Sequence, residues 1–174
     1  EAMEEGDTAK ADRKKKQLPY HTITATNIKE RLAYSLDTYQ DIITLDWDDM
    51  PAEKLPEFRL LVNECPDTLG DFVSPRMHGL KIFVYLTGKE AEALRAELNA
   101  LGTVDFPTLE RYHHRMYALA SSKYEKLLNT KVDTSGSDPG RGFFVSHDPD
   151  AFLSLERLEN VKPLTVKVTL PTEE

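Results

Sequence analysis

A short β-prone run, Ile42-Ile43-Thr44-Leu45, breaks off in carboxylates at Asp46, Asp48 and Asp49. The apolar residues ask for a strand over about 41–47, and the acids end it. Side chains alternate faces along a strand, so Asp46 and Asp48 project together while Trp47 points the other way. Neighbouring carboxylates repel unless a cation lies between them, and hard divalent ions take oxygen ligands of this kind. Two readings follow from this stretch alone: a metal site at a strand edge, or a solvated acidic loop after a buried strand.

The rest of the chain narrows the classes. Its 174 residues suffice for one domain with a substantial core, and 40% hydrophobic with 30% charged residues is ordinary for a soluble globular protein. No apolar run approaches the roughly 20 residues of a membrane span, and no signal-peptide pattern opens the chain, so no membrane partner is expected. The single cysteine, Cys65, excludes an internal disulfide and a cysteine-based zinc site. It fits a reducing cytosol, and a cytoplasmic location is expected. The net charge of -8 argues against coating nucleic acid by charge alone. It leaves room for an enzyme handling nucleotides, whose catalytic carboxylates bound metal ions would offset.

In chain order, residues 1–17 read as a flexible charged leader, with acids first and then Lys14, Lys15 and Lys16. Residues 21–26 have strand-like composition, and Asn27 caps an expected helix through Leu36. A helix follows Pro51, with Pro56 in its first turn, where the missing N–H costs little. Phe72–Ser74 is a short strand and 80–86 a longer one. On the longer strand Leu80, Ile82, Val84 and Leu86 share one face, and Lys81, Phe83 and Tyr85 the other, where a substrate contact is expected. Helices are expected over 89–101 and about 107–128, with His113 and His114 inside the second as histidines at the edge of the buried face or in solvent. Strands are expected over 142–147 and 164–170. The domain proper then spans 18–158, with 159–174 a C-terminal strand or the start of a linker. Strand pairs follow one another directly, which predicts an α+β sandwich with a largely antiparallel sheet.

Three polar clusters fall at strand ends: Asp46 with Asp48, the Ser74–Lys81 loop and strand, and Asp133 with Asp138 and Arg141. Phosphoryl transfer with two metal ions needs carboxylates for the ions and cationic or amide donors for the triphosphate. Asp46, Asp48 and Asp133 are the candidates for metal, Lys81 and Arg141 for phosphate, and amides near Gly79 complete the set. Four segments taken in order, 14–22, Ile42-Ile-Thr-Leu-Asp-Trp-Asp48, 72–84 and 132–149, resemble the VirE-type N-terminal domain of bacterial mobile-element proteins. That domain is similar in layout to the archaeo-eukaryotic primase (prim-pol) core.

The resemblance implies a prim-pol-like two-layer sandwich with flanking helices. It implies a primase- or polymerase-like nucleotidyltransferase in mobile-element DNA replication, acting on nucleotide triphosphates and a single-stranded DNA template. The metal motif falls on Asp46 and Asp48, the third carboxylate on Asp133, and a phosphate contact on Arg141, with Mg²⁺ or Mn²⁺ as cofactor. The nucleotide-binding segment falls on Ser74, Arg76, His78, Gly79 and Lys81, with Asp138 in the later turn. Lys81 stands where that pattern has histidine. The loop Ser74-Pro-Arg-Met-His-Gly79 lacks the pattern's first glycine, a place that Arg76 and His78 would fill. The alternative is a catalytically inactive relative that binds single-stranded DNA, or docks a helicase or a downstream primase-associated domain.

Overall fold

The computed structural model describes residues 13–27 and 36–169. Within them the protein is an α+β fold built on one antiparallel sheet. Its strands are β4 (Ile43–Trp47), β5 (Thr68–Val73), β6 (Leu80–Val84) and β9 (Phe152–Leu153), in the order β4-β6-β5-β9. Before them come β1 (Tyr20–His21), β2 (Ala25–Asn27) and β3 (Leu36–Tyr39). The helices are α1 (Leu55–Glu64), α2 (Lys89–Ala100), α3 (Phe106–Leu128) and α4 (Leu155–Glu159). Three short pairs complete the set: β2 with β3, β1 with β8 (Phe143–Phe144), and β7 (Thr103–Asp105) with β10 (Lys167–Thr169), the last parallel.

The alternation in β6 does what its sequence asks. Leu80, Ile82 and Val84 are fully buried, whereas Lys81 and Phe83 are half-buried on the opposite face. Against the apolar face α3 lays Leu109, Met116, Ala120 and Tyr124, in one cluster with Ile43, Leu45 and Trp47. Asp105 caps α3 by accepting from the Thr108 N–H, and Asn129 ends it in the left-handed conformation. Burying side chains of this size stabilises by about 1.5–3 kcal/mol each, so this layer carries much of the fold. Among the described residues no helix is long and apolar enough to cross a membrane.

Several elements differ from the sequence reading. Asp41 is left-handed (φ 58°) and wholly buried, so the strand expected from 41 begins at Ile43. Its carboxylate accepts from Arg95 Nε at 2.6 Å and from the Tyr112 hydroxyl at 2.8 Å. Such an anion sits in the core because both of its oxygens are matched. The strand expected over 72–74 starts earlier, at Thr68, with a bulge between Thr68 and Gly70. β3, β7, β9 and α4 are too short for periodicity to reveal. Tyr85 is buried beneath the Arg95 guanidinium, 4.4 Å from its ring centroid. The helix expected from Asn27 lies largely outside the described residues.

Candidate functional site

β4 is an edge strand of the central sheet, and the segment after α3 closes that edge. Val132–Gly136 runs along it: the Asp133 N–H donates to the Asp46 carbonyl at 2.8 Å, forming an antiparallel bridge between the two residues. The Tyr117 hydroxyl, from α3, donates to the Asp133 carbonyl at 2.6 Å. A Cβ on Gly136 would lie 2.3 Å from the Thr44 carbonyl oxygen, so only glycine lets the loop press this close. Its carbonyl accepts from His113 Nε2 at 3.1 Å. A carbonyl only accepts, so that ring nitrogen carries the proton, and Nδ1 accepts from the Tyr39 hydroxyl at 2.8 Å. His113 is thus a fully buried strut behind the Asp133 loop, neither at the edge of the core nor in solvent. His114 is exposed.

The two acids brought together are shifted in opposite directions. Asp46 is buried, and burial raises its carboxyl above the ordinary range against the pull of Lys81, whose ammonium is bound to Oδ2. Lys81 lies directly across from Asp46 in the β4–β6 register, with Phe72 of β5 as its other neighbour. The remaining oxygen of Asp46, Oδ1, is buried without a partner. Asp133 is held below the usual carboxylate range, chiefly by hydrogen bonds from Ser135, and the Arg141 and Lys81 charges act in the same direction. Asp48 lies just past the strand and is exposed.

The other candidates divide. Gly79 approaches the Trp47 carbonyl so closely that a Cβ would lie 2.6 Å from it, and its own carbonyl accepts from the Ser74 N–H. Ser74 is buried and Met77 takes a positive φ of 63°, so this loop is a tight turn. Arg76 and His78 are exposed at its tip, and the His78 carbonyl accepts from the Met50 N–H. Asp138 closes its own turn: its carboxylate accepts from the Gly140 N–H and its carbonyl from the Arg141 N–H. Arg141 is half-buried.

A divalent ion fits this arrangement poorly. Although Asp46, Asp48 and Asp133 share one end of β4, no group of three or more His, Cys, Asp or Glu among the described residues is arranged to hold a metal ion. An ammonium occupies one Asp46 oxygen instead. Three half-buried phenylalanines meet on the Lys81 face, and of these the sequence placed only Phe83 there. The Phe83 ring lies 5.8 Å from Phe72 and 5.0 Å from Phe143, and Phe72 lies 5.4 Å from Phe143. The Lys15 ammonium sits 5.8 Å from the ring centroid of Phe144, the residue after Phe143 in β8. Phe72 and Phe83 are diagonal neighbours on the adjacent strands β5 and β6, where Phe72 pairs with Lys81 and Gly70 with Phe83.

Fold and site together define an α+β domain with a charged strand-end cluster beside an aromatic sheet face. The chain belongs to the family described as BT4734-like, N-terminal domain, whose model matches residues 13–153. This corrects the VirE-type, prim-pol-like resemblance, which rested on short strand-end segments. Lys81 and the 74–79 loop already depart from that pattern. No curated protein and no solved structure matches the chain.

Proposed function

We propose that the domain binds single-stranded nucleic acid on the sheet face that carries Lys81. The observation behind this reading is the Phe72–Phe83–Phe143 cluster on the sheet face of Lys81. Bases stack on aromatic rings in any sequence, and neighbouring cations track the backbone phosphates. The overall charge of -8 weakens long-range attraction, so stacking carries most of the binding. Binding of a labelled single-stranded oligonucleotide, followed by fluorescence anisotropy at low salt, tests it. Phe83→Ala and Phe143→Ala should each weaken binding by about tenfold, from the usual worth of one stacked base. Leu60→Ala, at an exposed position on α1, should leave it unchanged. Wild-type protein that does not bind, or phenylalanine variants that bind equally well, would refute the proposal.

A second reading, primase-type nucleotidyl transfer with Mg²⁺ or Mn²⁺, draws on the bridge that seats Asp133 beside Asp46. It requires Lys81 to leave Asp46, since the acids as arranged do not form an ion site. Primer synthesis with Mn²⁺ that is abolished in Asp46→Asn supports this reading, and activity indifferent to that change removes it.

A further inference from the structure

We propose that Lys81 is the resident counter-cation of the strand-end carboxylates, holding the position at Asp46 that a divalent ion would otherwise take. The register sets it there, because Asp46 and Lys81 are direct cross-strand partners and such pairs share a face. Both side chains are nearly enclosed, at 9% and 12% exposed, so the pair is shielded from solvent. An ammonium is a compact point charge with three donors, able to satisfy a carboxylate as an ion does.

Two further features mark the position as one built for a cation. Asp46 Oδ1 is buried with no partner, although buried polar atoms are nearly always satisfied. Asp133 is fixed next to it by the backbone bridge rather than by any contact between the two carboxylates. A divalent ion arriving here meets the Lys81 charge in a weakly screened environment, and the repulsion disfavours it. Without Lys81, Asp46 would lose its counter-charge beside Asp133, and a divalent ion would compete with a proton for the vacated place. Lys81 plays this part whether or not the face carries nucleic acid.

Binding of Mn²⁺ alone, followed by titration calorimetry and by loss of free-ion paramagnetic resonance signal, tests this in three proteins. Wild type should bind weakly. Lys81→Met, which keeps the stem and removes the charge, should bind at least about tenfold tighter, a difference of the order a single competing charge supplies. Lys81→Met with Asp46→Asn should lose that gain. Lys81→Met binding no tighter than wild type overturns the proposal, and so does a gain that survives Asp46→Asn. Should Lys81→Met fail to fold alone, recovery of a cooperative unfolding transition on adding Mn²⁺ supports the proposal. Absence of that recovery, with the double variant folded, counts against it. Failure of nucleic-acid binding is read separately, by the anisotropy of the phenylalanine variants.

Discussion

Mild acid should loosen the loop that carries Asp133, through His113. Burial lowers the His113 pKa from 6.5 to about 4. Above 6.5 the ring is neutral in both the folded and unfolded chain, and the interaction it makes is fully present. As the pH falls below that value, the unfolded chain takes up a proton that the folded chain refuses, so stability declines until the folded ring titrates near 4. Each pH unit in this window removes about 1.4 kcal/mol, so the loss is about 2 kcal/mol by pH 5 and about 3 kcal/mol across the window. Protonation also turns Nδ1 into a donor, and it can then no longer accept from Tyr39. Urea unfolding of wild type and His113→Gln at about pH 7.5 and about pH 5 isolates the contribution, because the other titrating groups are common to both proteins. The variant should start less stable and lose about 2 kcal/mol less between the two pH values. Equal losses in the two proteins would refute the assignment of this acid sensitivity to His113.

Two further outcomes follow from the packing around the site. Gly136→Ala should destabilise the protein by about 1–3 kcal/mol, as overpacking does, because the new methyl meets the Thr44 carbonyl and the Tyr117 ring. Thermal unfolding measures that loss, and weaker amide-exchange protection at Asp133 should accompany it. Arg95→Met should cost about 3–5 kcal/mol by leaving the Asp41 carboxylate buried with only Tyr112 as partner. Adding Asp41→Asn should restore much of that in denaturant unfolding, and a double variant as unstable as the single one would show that the charge is not the cause.

Much of the fold was legible because its main elements are long and patterned. β6 alternates strictly, α2 is made of strong helix formers, and α3 carries a core stripe, so local periodicity sufficed for each. β3, β7, β9 and α4 were not legible, since so few residues hold no period and such elements exist only through their partners. β7 is an example: it is defined by parallel pairing to a strand more than sixty positions later, Thr103 opposite Lys167.

The sequence by itself determined that acids end a buried strand at Asp46 and that Lys81 lies on the side of its strand opposite Leu80, Ile82 and Val84. Both are consequences of the two-residue alternation of side chains, a property of the chain's covalent geometry. Only the tertiary structure decided that these two residues face each other, that Asp133 joins them, and that Phe72, Phe83 and Phe143 form one cluster. Strand order and register decide such neighbours, and they are set by burial across the whole core rather than by any local segment. That register puts an ion pair, Lys81 with Asp46, at the strand end.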